Sequence, residues 1–174
     1  MSGPAMNKNL IFTLSAALLL SACDSPPAQP PLSEAPLAGA TIGGDFTLTD
    51  QNGKKRTFKE CDGAYRIVYF GYTNCPDICT PDMQNLMAGL KAYEKSHPEL
   101  GAKIQPIFIT VDPERDTAEL LKAYMANFDP TFIALRPSPE QLPQEARDFK
   151  IYFKKAEGPS PTSYTMDHTR SEER

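Results

Sequence analysis

The chain has 174 residues, with 18 basic and 22 acidic side chains, 40% hydrophobic content, 17 prolines, four cysteines and no tryptophan, which is room for one domain and some extra length rather than two. A net charge of −4 without a long basic block lacks the electrostatic footprint of a nucleic-acid-binding protein, so no nucleic-acid partner is expected. Proline at about twice the usual usage means that part of the length is extended or loop-rich rather than core.

Residues 10–20 (LIFTLSAALLL) form an uncharged apolar run. It is too short for a stable membrane-spanning helix and suits the apolar region of a secretory signal. Leu20, Ser21 and Ala22 then lead into Cys23, and this segment resembles the lipobox of bacterial lipoproteins, in which the cysteine becomes the lipidated first residue. Residues 1–22 are therefore expected to be a lipoprotein signal peptide. Cys23 would tie the chain to a lipid membrane in the bacterial cell envelope, and Asp24 resembles an inner-membrane retention signal. From Asp24 to Thr41 there are five prolines and no aromatic residue. Residues 23–41 read as the lipidated cysteine and a tether, which in a polyproline-like state reaches at most roughly 50 Å. The folded domain is expected over residues 42–174.

Residues 45–50 (DFTLTD) alternate apolar and polar side chains, Asn52-Gly53 supplies a turn, and residues 55–58 can return as a partner strand. Residues 65–72 (YRIVYFGY) have the composition of a strand buried on both faces of a sheet. A helix follows, with Thr80 as expected N-cap, Pro81 in its first position, Asp82 at the positive end of the dipole, and Met83, Leu86, Met87, Leu90 and Tyr93 at helical spacing before a stop at Pro98. The methionines read as core. Residues 103–111 form a second hydrophobic strand. Asp116 with Glu119 forms a capping-box-like start to a helix burying Leu120, Leu121, Tyr124, Met125 and Phe128. Residues 131–135 give a short strand, residues 138–149 a further helix that tolerates Pro143 near its start, and residues 151–154 and 163–166 short strand-like pieces. Alternating strands and helices with parallel crossovers make an α/β fold.

The chemistry sits where the strand over residues 65–72 ends. Cys75 and Cys79 lie at its carboxyl end and just ahead of a helix N-terminus, the edge where open α/β sheets bind ligands. The helix dipole is expected to lower both thiol pKa values, and Pro81 to keep the span from Cys75 to Cys79 in a loop. Two sulfurs on so short a loop can converge on one ion or close a disulfide. A stabilising bridge is the weaker explanation, because closing so few residues restricts little chain entropy. Cys61 has no partner at useful spacing and reads as an unpaired thiol. His97 reads as a solvated histidine at a helix end, and His168, taken alone, as an exposed one.

Three segments change the reading of His168. YFGYTNCPDICTPDM at residues 69–83, TVDPERDT at 110–117 and YTMDHT at 164–169 resemble the signature segments of the Sco/SenC copper-chaperone family. The likeness runs over residues 42–169. It implies a thioredoxin-like fold, a membrane anchor and assistance to assembly of the CuA centre of cytochrome c oxidase, with the copper-bearing subunit of the oxidase or another copper protein as partner. It also implies that Cys75, Cys79 and His168 bind copper, with Asp112 near the site or serving as a turn and capping residue. The inorganic chemistry agrees: two thiolates suit Cu(I), and an added imidazole gives a site able to hold Cu(II) as well. Structural zinc normally takes four protein ligands, and three are found. A redox role for the Cys75/Cys79 pair as a thiol-disulfide reductase stays open, and outside it no enzymatic activity is expected.

In the family the histidine is followed by a strand pair and a closing helix, whereas here five charged or polar residues follow Thr169. The fold is therefore expected to lack its C-terminal strand pair and helix. A truncated, non-functional remnant is the third reading.

Overall fold

The computed structural model describes residues 38–160 and 163–169. The apolar run over residues 10–20, Cys23, most of the proline-rich tether and the charged tail over residues 170–174 lie outside them. The chain divides into two units, Met1–Ala40 and Thr41–Arg174. Every secondary-structure element described belongs to the second, and among the described residues no helix is long and apolar enough to cross a membrane.

Strand β1 (Thr47–Asp50) turns back into β2 (Lys55–Thr57) through Gly53, whose φ of 76° is one that a side chain resists. The turn is held by Asp50, which is 1% exposed and accepts the backbone N–H groups of Asn52 and Lys54 and the Arg56 guanidinium, each at 2.9 Å. Phe58 does not extend β2 as its apolar character suggests but opens a 3-10 turn, Phe58–Cys61.

Next come β3 (Tyr65–Gly71), α1 (Cys79–Ser96), the single turn α2 (Pro98–Gly101), β4 (Ile104–Thr110), α3 (Ala118–Met125), β5 (Ile133–Arg136), α4 (Leu142–Asp148), β6 (Phe153–Ser160) and β7 (Ser163–His168). Five strands make one sheet in the order β2-β1-β5-β4-β3, with β3, β4 and β5 parallel and β1 antiparallel to both its neighbours. This is the expected α/β pattern. Strands β6 and β7 form a separate antiparallel hairpin, so the two short pieces expected near the C-terminus are longer than their apolar stretches and pair with each other.

Strand β4 sets the layers. Ile107 and Ile109, with Val111 just beyond the strand, join Leu48, Phe70, Tyr72, Leu135, Tyr164 and Met166 on one face. Phe108 points the other way, into Met83, Met87, Leu90, Leu121, Met125 and Phe132, as a period of two requires. The methionines of α1 are core, and each fully buried large side chain contributes roughly 1.5–3 kcal/mol. Strand β3 departs from expectation. It is the last strand of the sheet, Tyr65 is 64% exposed, and only Phe70 and Gly71 within the strand are buried. Its apolar composition is that of a covered strand, but among the described residues it is paired on one side only.

Two helix starts also differ. Helix α1 opens at Cys79 with Ile78 as N-cap, two residues ahead of the expected Thr80. Pro81 then falls in the first turn rather than at its first position, and loses nothing there, because the first bond across the cap is the one from Asp82 N–H to the Ile78 carbonyl at 2.9 Å. Helix α3 is capped by Thr117, whose hydroxyl accepts the Leu120 N–H at 3.2 Å, and not by Asp116. Leu120, expected inside, is 47% exposed. Helix α4 begins at Leu142, later than Ser138-Pro139 suggests, with Pro143 in its first turn.

Candidate metal centre

Strand β3 delivers the chain to the sheet edge at Gly71, and the loop from Tyr72 carries Cys75 to the start of α1. Cys79 is fully buried in the first turn of that helix, while Cys75 on the loop is half-buried. The expectation of one loop from Cys75 to Cys79 thus holds up to Ile78 and fails at Cys79, which the helix has taken. The two sulfurs remain close: the Cys79 N–H donates to Cys75 Sγ at 3.4 Å.

Strand β7 brings the third donor. Its alternation buries Tyr164 and Met166 and leaves Ser163, Thr165 and Asp167 exposed. The same period places His168 on the face that Tyr164 and Met166 turn to the sheet. His168 Nε2 lies 3.5 Å from Cys79 Sγ, and its ring meets the edge of Tyr72 at a centroid distance of 6.0 Å and 85°. One donor atom from each of Cys75, Cys79 and His168 lies within 4.8 Å of the others. Between the cysteine loop and β7 opens a cleft of about 280 Å³, reached by Cys75, Asp77, Tyr72 and His168. A larger groove between β3 and α1, about 620 Å³, is lined by residues such as Ile67, Leu86 and Tyr93 and holds no thiol or imidazole. Chemistry rather than size therefore locates the site.

The two thiols are not equivalent. Burial alone would raise Cys75, but the Cys79 thiol and the backbone N–H groups of Cys79, Asp77 and Ile78 hold it below the ordinary thiol value. Burial, reinforced by neighbouring Cys75, pushes Cys79 up to about 12, against a smaller lowering by contacts with Tyr72 and Tyr69. The helix N-terminus was expected to lower both thiols. It does not prevail at Cys79, because that sulfur is withdrawn from water into the core.

Gly71 belongs to the site, although sequence reasoning passes over it. A Cβ there would stand 3.2 Å from Cys79 Sγ, 2.7 Å from the Tyr69 ring and 3.2 Å from Phe108. A glycine inside an otherwise bulky strand is the signal that something approaches the backbone closely. Tyr72 was also missed as a site residue; its hydroxyl accepts the Met166 N–H at 3.2 Å, fastening β7 to the end of β3 two residues before His168. Asp112, expected either near the site or as a turn residue, is 2% exposed; its carbonyl takes the N–H groups of Arg115 and Asp116 in the turn after β4, and its carboxylate takes the Tyr164 hydroxyl at 2.8 Å. Cys61 sits half-buried in the 3-10 turn as a free thiol, and His97 caps the end of α1, exposed and stacked on Tyr93 at 4.6 Å. Neither joins the group formed by Cys75, Cys79 and His168.

Two thiols and one imidazole make a donor set suited to copper. Residues 34–172 match the family model described as SCO1/SenC. The chain is 40% identical over 139 residues to the mitochondrial SCO1 homolog 1 of Arabidopsis thaliana, covering 79% of this chain and 40% of that protein, so it spans less than half of that relative. Among solved structures it is similar to Bradyrhizobium japonicum ScoI with copper bound, at 41% identity and a TM-score of 0.66, over 74% of this chain and 78% of that one. A SCO1/SenC family lipoprotein of Bacillus anthracis is 26% identical with a TM-score of 0.62, over 74% of each chain. These likenesses bear out the α/β, thioredoxin-like architecture implied by the signature segments.

Proposed function

Because the chain belongs to the SCO1/SenC family, we propose that it is a copper metallochaperone which holds its cargo through Cys75, Cys79 and His168 and assists assembly of the CuA site of cytochrome c oxidase. The observation that carries the reading is the convergence of two thiols and one imidazole within 4.8 Å. The Cys75 thiol, which despite burial is held below the ordinary thiol value by the Cys79 thiol and the backbone N–H groups around it, favours the thiolate form that binds a soft metal. Copper binding in the Bradyrhizobium relative supports transfer of the cargo to this donor set. The recipient is the copper-bearing subunit of the oxidase or another copper protein.

Residues 1–22 serve as a signal peptide, Cys23 as the lipidated anchor, residues 23–41 as tether and residues 42–174 as the domain, which places the site outside the inner membrane of a bacterial cell. The apolar run before Cys23 and the lipoprotein character of the Bacillus relative support this placement.

The test is a Cu(I) titration of the chain against a competing chelator. One equivalent binds, binding is lost on Cys75→Ser or Cys79→Ser, and His168→Ala weakens it; retention of full affinity by the double serine variant would refute the reading. Incorporation of labelled palmitate, abolished by Cys23→Ala, checks the anchor.

The unequal thiols, within 4.8 Å of each other, favour one further role, reduction of a disulfide between the target's cysteines: Cys75 attacks one target sulfur and releases the other as a thiol, and Cys79 then displaces the first, leaving the target reduced and Cys75 and Cys79 joined as a disulfide. That activity survives His168→Ala, which copper binding at full affinity does not.

A further inference from the structure

The turn between β4 and α3 carries two buried carboxylates, Asp112 at 2% and Asp116 at 0% exposure. They face opposite partners. Asp116 accepts the Thr73 N–H at 3.1 Å, the Thr73 hydroxyl at 2.6 Å and the Thr110 hydroxyl at 2.5 Å. Thr73 stands two residues before Cys75, so this carboxylate grips the cysteine loop at its root. Asp112 accepts the Tyr164 hydroxyl at 2.8 Å and pairs with the Arg115 guanidinium. Arg115 in turn donates to the Tyr164 carbonyl at 2.8 Å and lies 3.6 Å over its ring. Tyr164 shares a face of β7 with His168, four residues on.

The turn is itself pinned. Arg136 donates to the Asp116 carbonyl at 2.8 Å and to the Pro113 carbonyl at 2.7 Å, and the N–H groups of Arg115 and Asp116 both go to the Asp112 carbonyl. One rigid turn therefore holds the sulfur-bearing loop with one carboxylate and the imidazole-bearing strand with the other. Burying two carboxylates costs several kcal/mol each before compensation, and stability alone is a poor reason to keep both. Among the described residues the hairpin has no strand pairing with the five-stranded sheet, so side chains such as these set where His168 lies.

We propose that Asp112 and Asp116 form a two-sided clasp that fixes the spacing between the Cys75/Cys79 loop and His168, with Arg115, Tyr164 and Thr73 as its contact points. These are positioning residues, and the inference rests on the reading of the three donors as the copper site. The clasp predicts that its two arms act on different donors. The arm through Tyr164 works only by way of His168, and the arm through Asp116 only by way of the sulfurs.

A double-mutant cycle on the full chain tests this, read by competitive Cu(I) titration and by the thiolate-to-copper charge-transfer band of the Cu(II) form. Tyr164→Phe keeps the ring and removes the hydroxyl. It weakens Cu(I) binding about tenfold and moves the band toward that of His168→Ala, yet adds nothing in a His168→Ala background. Asp116→Asn weakens binding by a similar factor in both backgrounds. Unchanged affinity and band in Tyr164→Phe, where His168→Ala alone is impaired, overturns the clasp and leaves the copper site standing. An equal loss from Tyr164→Phe in both backgrounds also overturns it, showing a general effect on the fold. Full affinity in His168→Ala removes His168 from the site and both readings fall. Should Asp116→Asn not fold, Tyr164→Phe decides alone.

Discussion

The backbone N–H of Cys79 points at the sulfur of Cys75, 3.4 Å away, so the half-buried thiol is stabilised as its anion by the residue that carries the buried one. The pair is thereby sorted into a reactive and a withdrawn sulfur. Limited iodoacetamide at pH 7.5 should alkylate Cys75 at least about tenfold faster than Cys79, with peptide mass mapping as the readout. Cys61, whose thiol burial pushes up, should also lag. Alkylation of Cys79 first would contradict the assignment.

Gly71 gives a second expectation. The Cβ of Gly71→Ala would press on Cys79 Sγ, the Tyr69 ring and Phe108, and tightly packed interiors relieve such crowding at roughly 1–3 kcal/mol. Denaturant unfolding should show that loss. Because one of the crowded atoms is a proposed copper ligand, Cu(I) affinity should fall too, whereas Gly89→Ala on α1, where a Cβ meets nothing within 4 Å, should leave Cu(I) affinity unchanged and raise stability by about 0.5–1 kcal/mol.

The third concerns Glu145, which is 6% exposed in α4. Burial, with a smaller push from Asp148, raises its carboxyl to about 7 from an ordinary 4.5. The folded state therefore holds a proton that the unfolded chain has released, and stability declines as pH rises from 4.5 to 7. Glu145→Gln removes that dependence. It should raise stability at pH 8 by an amount on the order of 3 kcal/mol, read as a higher thermal midpoint, and change it little at pH 4.5. A variant no more stable than the parent at pH 8 would show that the carboxylate is not penalised.

Much of the fold is legible in the residues. The β1–β2 hairpin follows from Gly53 and the alternation before it, and the crossover from β3 to β4 follows from two bulky runs separated by a helical period. What escapes depends on partners far along the chain. Thr80-Pro81 looks like a helix start by local chemistry, yet α1 begins at Cys79, whose sulfur fills a space left by Gly71. Asp116 likewise has the chemistry of a cap, but its carboxylate goes inward to Thr73, 43 residues away, and Thr117 caps in its place. The site was legible through the cysteine pair and the signature segments. Spacing alone could not bring in His168, because its position depends on a hairpin whose strands have weak apolar alternation and on the tyrosines that fasten it.

The separateness of that hairpin has a thermodynamic consequence. Two proposed donors belong to the five-stranded sheet with its first helix and the third to a two-stranded ribbon, so a ligand gripped by all three binds only the docked arrangement. By linkage, each tenfold of ligand concentration above the dissociation constant adds about 1.4 kcal/mol to whatever free energy holds the ribbon down. Cargo would then act as a fastener as well as a passenger. Amide hydrogen exchange at Met166, whose N–H rests on Tyr72, would slow on loading, and giving up the cargo would loosen the strand that delivers the imidazole.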